Sequence, residues 1–169
     1  MYRIGVDLGG TNIAAGIVNE KYEIVCKDSI PTGADRSAEE IVADMAKLCN
    51  RLCEKSGIAR DQIASVGIAS PGIANSRDGV VEYSCNLPFL KFPICEELRR
   101  GFDVPEVFVE NDANAAAWGE AIVGAAKGTS NSLMITLGTG VGGGVIIDGK
   151  LLCGFNFAGA ELGQTLSNI

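Results

Sequence analysis

The chain has 169 residues and carries 14 Lys and Arg against 21 Asp and Glu, a formal net charge of −7 that argues against a general nucleic-acid-binding surface. Hydrophobic residues make up 47% of the chain, which is enough for a packed core and excludes wholesale disorder. No apolar run approaches the ~18 residues of a membrane helix, and the chain enters a strand pattern at Tyr2 without a secretory signal, so we expect a cytoplasmic protein with no membrane partner.

The first half of the sequence predicts a strand meander followed by a helix and a further strand. Three strands are predicted at residues 2–8, 12–19 and 22–30. A helix begins after Ser37, which is expected to form a capping box with Glu40, and it ends at Gly57. The mostly apolar run 63–69 is typical of a strand in a sheet covered on both faces, and it ends at Ser70-Pro71-Gly72.

The second half of the sequence predicts two more helices and a second meander. The helices are expected near 94–101 and from Asn111 to Val123, and the strands at 106–110, 133–137, 141–147 and 150–152. Strands and helices in this order indicate an α/β protein.

Six cysteines and no histidine are present. None of the cysteines forms a Cys-x-x-Cys pair, so neither a disulfide framework nor a zinc site is expected within this chain. Cys49 and Cys53 lie four residues apart on the first predicted helix. A metal pair is one interpretation, and burial as small hydrophobic side chains is the favoured one.

An internal repeat is the most informative pattern. Residues 4–11 align with residues 133–140 at an offset of 129, which places Leu8 over Leu137. Chance similarity between two glycine-containing hairpins is the alternative. A repeat of this period favours duplicated lobes, so we expect an N-terminal lobe at 1–131 and the beginning of a second, truncated lobe at 132–169.

Both copies of the repeat contain a glycine-rich turn. The first, Gly9-Gly10-Thr11, follows Asp7, and the second is Gly138-Thr139-Gly140. Backbone amides in such turns can bind an anion such as phosphate. Asp7 would repel phosphate, so its expected partner is Mg²⁺. Two ordinary tight hairpins are the alternative interpretation.

Asp112 lies where the strand at 106–110 gives way to a helix, a position typical of ligand-binding residues in α/β sheets. The helix macrodipole stabilises a carboxylate there, as a general base requires. Alternatively, Asn111 or Asp112 only caps the helix.

Five motifs, taken in order, resemble bacterial sugar kinases of the ROK family, most of all the glucokinase branch. They are Asp7-Leu-Gly-Gly-Thr11, Ser70-Pro71-Gly72, Glu110-Asn-Asp-Ala-Asn114, Leu137-Gly-Thr-Gly-Val-Gly-Gly-Gly144 and Gly159-Ala-Glu-Leu-Gly163. The resemblance implies an actin-like, ribonuclease-H-like ATPase fold, here with one complete lobe and the start of a second. It also implies ATP and Mg²⁺ as cofactors and a hexose as substrate.

The resemblance also implies roles for individual residues. Asp112 would be the catalytic base, and Asp7 would serve the metal. The ATP phosphates would contact Gly9, Gly10, Thr11, Asn12, Gly138, Thr139 and Gly140. The sugar would contact Gly72, Asn86, Asn111, Asp112, Glu161 and Gln164. For Asn86, a simple turn residue before Leu87-Pro88 is the alternative.

The chain departs from the family pattern at Gln164, where the family has a histidine. Glutamine can still hydrogen-bond a sugar hydroxyl but is not a usual zinc ligand, and the family's cysteine-rich zinc segment is not part of this sequence. We expect the full-length parent to phosphorylate glucose to glucose 6-phosphate. One alternative is an N-acetylmannosamine or fructose kinase. Another is a sugar-responsive repressor, which would need an N-terminal helix-turn-helix, and a third is a non-catalytic actin-like ATPase module. The 169-residue chain alone is expected to be inactive and to form a homo-oligomer.

Overall fold

The computed structural model describes residues 1–138 and 140–164. By its internal contacts the chain divides into two compact units, Met1–Glu110 and Asn111–Ile169. This division differs from the predicted lobe boundary after residue 131, because the helix that begins at Asp112 packs within the second unit. Across the described residues, no helix is both long enough and apolar enough to cross a membrane.

The described residues form eleven strands and three α-helices. They are β1 (Tyr2–Leu8), β2 (Asn12–Val18), β3 (Ile24–Pro31), α1 (Ala38–Ser56), β4 (Ile63–Ser70), β5 (Ile73–Asn75), β6 (Val80–Tyr83), β7 (Leu90–Phe92), α2 (Ile94–Gly101), β8 (Glu106–Asn111), α3 (Asp112–Val123), β9 (Ser132–Leu137), β10 (Val141–Ile147) and β11 (Lys150–Leu151). Short 3₁₀ turns lie at Arg60–Gln62 and Leu162–Gln164.

A mixed five-stranded sheet organises the first unit, in the strand order β3-β2-β1-β4-β8. β1 is antiparallel to β2 and parallel to β4. One face of β1 presents Ile4, Val6 and Leu8 to a hydrophobic core shared with α1 and α2. The alternation of buried and exposed residues along β1 follows the two-residue period of a strand.

Helix α1 begins and ends as its sequence predicts. The Ser37 hydroxyl accepts a hydrogen bond from the Glu40 amide at 3.2 Å, and the Glu40 carboxylate accepts one from the Ser37 amide at 3.0 Å. Gly57 ends the helix in the left-handed conformation, with φ at 70°. The capping box and the glycine stop are therefore confirmed.

Cys49 is buried in the core side of α1, while Cys53 is half-buried. Burial raises the pKa of the Cys49 thiol to about 12, and burial also raises the pKa of Cys53. Cys49 therefore lies in the core as a small hydrophobic side chain, as expected, whereas Cys53 is only partly buried.

A second, three-stranded sheet in the first unit was not predicted. It has the order β5-β6-β7, and both neighbouring pairs are antiparallel. Its strands have three or four residues each, which is too short for an alternating pattern to stand out in the sequence. This sheet holds the loop that contains Asn86.

The second unit consists of α3 and the sheet β11-β10-β9. α3 packs on β10 where β10 has no side chains. A Cβ added to Gly144 would lie 2.4 Å from the Ala117 Cβ and 2.7 Å from the Ala113 carbonyl oxygen, and one added to Gly142 would lie 3.3 Å from the Ala113 Cβ. Alanine facing glycine brings the helix close to the strand. This packing places α3 with the second unit.

Both segments that the predicted repeat aligns form antiparallel hairpins, and the turns of the two hairpins differ. In the first hairpin Leu8 pairs with Ile13, and in the second Leu137 pairs with Val141. The second turn is therefore one residue shorter than a constant offset of 129 requires. The residues of β10 that share a face with Leu137 are Val141, Gly143 and Val145.

The face of the second sheet that lies opposite α3 is apolar and largely exposed. Its exposed side chains are Leu133, Ile135, Leu137, Val141 and Ile147, and Leu137 is 82% exposed. Leu162 contributes to covering this face, because a Cβ on Gly143 would lie 2.3 Å from its Cδ1 atom. In the first hairpin, by contrast, the corresponding residues Ile4, Val6 and Leu8 are buried.

Candidate active site

The turn between β1 and β2 is the first candidate phosphate-binding element. The Gly9 amide donates to the Asn12 carbonyl at 3.0 Å. The Gly9 and Thr11 carbonyls accept hydrogen bonds from the hydroxyl and the amide of Thr32, at 2.7 and 2.9 Å. Since these carbonyls are held toward β3, the amides of the exposed residues Gly10 and Thr11 are the donors that the turn can offer to an anion.

Asn86 lies beside this turn. A Cβ added to Gly10 would be 3.9 Å from the Asn86 Cβ. Asn86 is exposed in the irregular loop between β6 and β7, and the buried residues Leu87 and Phe89 anchor that loop. The structure thus brings Asn86 to the first glycine turn. A sugar contact and a simple loop residue both fit this position, so the role of Asn86 stays a prediction.

Gly72 has to be glycine for a structural reason. Its φ is +90°, and a Cβ at this position would lie 2.1 Å from the Tyr83 carbonyl oxygen and 2.9 Å from the Ser84 Cα. A side chain would therefore displace the end of β6, where the loop to Asn86 begins. Gly72 positions this loop, and its own contact with a sugar stays a prediction.

Asp7 is exposed near the end of β1, next to the first turn. Within residues 1–138 and 140–164, no group of three or more His, Cys, Asp and Glu side chains could hold a metal ion. Mg²⁺ is commonly bound by one or two carboxylates, with water and substrate phosphate oxygens completing its shell. The single carboxylate of Asp7 beside the candidate phosphate-binding turn would therefore need ligands from outside the protein to hold Mg²⁺, and this role of Asp7 stays a prediction.

At the start of α3, the residue that caps the helix differs from the residue predicted to be the general base. Asn111 is the N-cap, and its side-chain oxygen accepts the Asn114 amide at 3.1 Å. Asp112 is the first helical residue, is exposed, and accepts the Ala113 amide at 2.8 Å through Oδ1. Of the two alternatives weighed for these residues, the cap is therefore Asn111. Asp112 keeps an exposed carboxylate at a helix N-terminus.

The second glycine turn is tight and exposed. The Gly138 amide donates to the Gly140 carbonyl at 2.9 Å, and both residues are exposed. Thr139 lies outside the described residues. The turn leads directly into β10.

Glu161 and Gln164 belong to a 3₁₀ turn that packs on the same strand. The Gln164 amide donates to the Glu161 carbonyl at 3.0 Å, and both side chains are exposed. A Cβ on Gly163 would lie 2.1 Å from the Val141 carbonyl oxygen. The Glu161–Gln164 turn thus lies against the first residues of β10.

Within the second unit, β10 is the common support for three groups of predicted site residues. The Gly138–Gly140 turn precedes it, α3 with Asn111 and Asp112 packs on one of its faces, and the Glu161–Gln164 turn packs on the other side through Leu162. Within the first unit, the structure joins Gly9–Asn12 to Asn86. The predicted site residues therefore form one group in each unit.

Two supporting features were missed in the sequence. Thr32 holds the first turn from a distance of more than 20 residues along the chain, and nothing in its local sequence signals this contact. Gly142 and Gly144 were visible as part of a glycine run, but their use in helix packing depends on Ala113 and Ala117. A pattern of small residues on both elements is the signal that could have suggested it.

Comparison with known proteins identifies a family. The sequence profile of the ROK family matches residues 3–168. The chain is 41% identical over 161 residues to a glucokinase of Streptomyces coelicolor, a match that covers 95% of this chain and 48% of the relative. It is also 36% identical over 170 residues to an N-acetyl-D-glucosamine kinase of Photobacterium profundum, covering 95% of this chain and 51% of that protein.

A solved structure shares the fold. The ROK family glucokinase from Streptomyces griseus, in complex with glucose and AMPPNP, superposes with a TM-score of 0.84 at 37% identity, over 95% of this chain and 49% of the other. The chain spans about half the length of the curated relatives it matches. The predicted fold class is confirmed: the chain has the mixed α/β, actin-like fold of these sugar kinases.

Proposed function

Because the chain belongs to the ROK family, we propose that its full-length parent transfers the γ-phosphoryl group of ATP to a hexose, with glucose as the first candidate. The product with glucose is glucose 6-phosphate. The similarity to glucokinases supports the choice of glucose. The similarity to N-acetylhexosamine kinases supports the alternative that the sugar is an N-acetylated hexose such as N-acetylmannosamine.

The proposal rests on the position of the Asp112 carboxylate. This carboxylate is exposed at the start of α3, and a different residue, Asn111, caps the helix. In the proposed reaction the primary hydroxyl of the sugar gives its proton to Asp112 while its oxygen attacks the γ-phosphorus and the bond to ADP breaks. The remaining requirements of phosphoryl transfer are positioning and charge stabilisation.

The other predicted residues take positioning roles in this proposal. The turns Gly9–Asn12 and Gly138–Gly140 bind ATP phosphates through backbone amides, and Asp7 serves Mg²⁺ with water and phosphate oxygens. Asn111 contacts the sugar in addition to capping α3 through Oδ1. Asn86, Glu161 and Gln164 hydrogen-bond ring hydroxyls.

A coupled assay of the full-length protein tests the proposal. ADP release is measured with glucose, fructose, N-acetylglucosamine and N-acetylmannosamine, each with ATP and Mg²⁺. We expect glucose to give the highest kcat/KM. A higher value with an N-acetylated sugar would replace glucose with that substrate class, and no turnover with any hexose would contradict the proposal itself.

Position 164 is expected to influence sugar choice. In the full-length protein, Gln164→His should change the ratio of kcat/KM between glucose and an N-acetylated hexose by up to about tenfold, because one hydrogen bond contributes about 0.5–1.5 kcal/mol and ~1.4 kcal/mol corresponds to a factor of ten. Gln62→His is the control, since Gln62 lies in the 3₁₀ turn after α1. Sugar ratio and zinc content are both measured. If neither differs between Gln164→His and the control, residue 164 has only a structural function.

The 169-residue chain itself is expected to be inactive and to pair with a second copy. The exposed face of the second sheet includes β9, an edge strand with no charged residue, proline or glycine. Such an edge lacks the features that prevent strands from pairing. A second copy can pair with this edge through its own β9, because in a two-fold symmetric dimer the same strand of each copy meets at the axis.

Light scattering after gel filtration tests this pairing. We expect a dimer for the chain and a monomer for Ile135→Lys, which puts a charge in the centre of β9. Ile24→Lys is the matched control, since Ile24 is another exposed isoleucine, 66% exposed against 54% for Ile135, at the start of β3 in the first unit. A monomeric chain, or a dimer that Ile135→Lys leaves intact, would contradict pairing through this strand.

A further inference from the structure

Thr32 contacts the first glycine turn through two hydrogen bonds. Its hydroxyl donates to the Gly9 carbonyl at 2.7 Å, and its amide donates to the Thr11 carbonyl at 2.9 Å. Thr32 follows the end of β3 and is fully buried. It therefore binds both ends of the turn from the protein interior.

Arg36 fixes the backbone position of Thr32. One of its terminal nitrogens, Nη2, donates to the Thr32 carbonyl at 2.7 Å, and the other, Nη1, pairs with the Asp44 carboxylate on α1 at 2.7 Å. Lys47 pairs with the same carboxylate at 2.8 Å. The two cations hold the pKa of Asp44 below its usual range, Lys47 having the larger effect, so Asp44 stays ionised and keeps its hydrogen bond to Arg36.

Gly33 permits this arrangement. Its φ is +60°, and a Cβ there would lie 2.6 Å from the Arg36 Nε atom. The guanidinium group therefore lies over Gly33, where any other residue would displace it. The connection runs continuously from α1 through Arg36 and Thr32 to the glycine turn.

We propose that Thr32, supported by Arg36, is a positioning residue for the phosphate-binding turn. The proposal rests on the proposed function, because it assumes that Gly9–Asn12 binds ATP phosphates. An anion site made of amides works only if the neighbouring carbonyl oxygens point away from the anion. Thr32 engages the carbonyls of Gly9 and Thr11 on the inner side, so the turn is organised for phosphate before ATP binds.

Preorganisation predicts an effect on nucleotide binding rather than on the sugar. Without the Thr32 hydroxyl, the Gly9 carbonyl loses its buried donor and the turn can rotate its amides away from the phosphates. In the full-length protein we expect Thr32→Val, which keeps the shape of the side chain, to raise the KM for ATP and the Kd for Mg-AMPPNP about tenfold, or ~1.4 kcal/mol. The KM for the hexose should change less than about twofold. Thr32→Ser restores the hydroxyl and should bind nucleotide nearly as the wild type does.

The controls separate positioning from general stability. Thr129→Val removes another hydroxyl that donates to a backbone carbonyl, that of Ala126 at 2.7 Å in the second unit, and should leave nucleotide affinity unchanged. Urea unfolding of every variant shows which ones are folded. If Thr32→Val does not fold, Arg36→Lys keeps the charge but loses the two-pronged contact, and it should raise the Kd about threefold.

The outcomes distinguish the two proposals. If wild-type protein does not bind Mg-AMPPNP, the proposed function fails, and this inference fails with it. If the wild type binds nucleotide and the folded Thr32 and Arg36 variants bind equally well, the positioning function alone is overturned. Equal increases in the KM values for ATP and hexose would also overturn it, since they indicate general damage.

Discussion

Replacing Asp112 with asparagine in the full-length protein should lower kcat by at least ~10²-fold and leave the fold intact. General-base catalysis contributes about this much or more to a rate, and an amide cannot accept the hydroxyl proton. The fold should survive because Asn111, not Asp112, caps α3. An asparagine Oδ1 can also still accept the Ala113 amide, as Asp112 does at 2.8 Å.

The control makes the same chemical change elsewhere in the second unit. Asp148→Asn alters an exposed aspartate in the turn between β10 and β11, where φ is +50° and asparagine is well tolerated. We expect wild-type kcat for this control. A value of kcat near that of the wild type for Asp112→Asn, measured with saturating sugar and ATP, would remove Asp112 from the mechanism.

Adding one methyl group to Gly144 should destabilise the second unit and reduce activity together. A Cβ there would lie 2.4 Å from the Ala117 Cβ and 2.7 Å from the Ala113 carbonyl oxygen. The nearest atoms belong to the backbone and to a short side chain, so α3 as a whole would have to move away from β10. We expect Gly144→Ala to lower the free energy of unfolding by about 1–3 kcal/mol, as is usual for overpacking. Activity should fall as well, since Asp112 moves with α3.

Gly119→Ala is the matched comparison, because it adds the same methyl group within α3. Nothing lies within 4 Å of a Cβ at that position, and alanine favours a helix over glycine by about 0.5–1 kcal/mol. Its effect on stability should therefore have the opposite sign. Urea unfolding and kcat of both variants check the pair. Equal stability of the two would contradict close packing between α3 and β10.

Local signals predicted those elements whose ends are determined by neighbouring residues. The capping box of Ser37 and Glu40 and the stop at Gly57 defined α1. The same local logic left two possibilities at Asn111 and Asp112, since either side chain can accept an amide of the first turn. Only the observed hydrogen bond from Asn114 to Asn111 assigns the cap.

Contacts between residues that are distant along the chain could not be predicted from the sequence. The strands β5, β6 and β7 are too short to produce a pattern, and they form because each one pairs with its neighbour. The sugar contact predicted for Gly72 stays a prediction, and the Tyr83 carbonyl that makes glycine necessary there comes close only in the fold. Nothing in the local sequence distinguishes Thr32, and its hydrogen bond to the Gly9 carbonyl is made only in the folded chain.

The unequal turns of the two hairpins limit how they could be exchanged by recombination. Residues 9–12 separate the paired Leu8 and Ile13, whereas only residues 138–140 separate Leu137 and Val141. A graft of the longer turn into the second hairpin would shift β10 by one residue and rotate each of its side chains to the other face of the sheet. Valine side chains would then meet α3 where only glycine fits. A crossover between the two halves can therefore succeed only if the turn is inherited together with the strand that follows it.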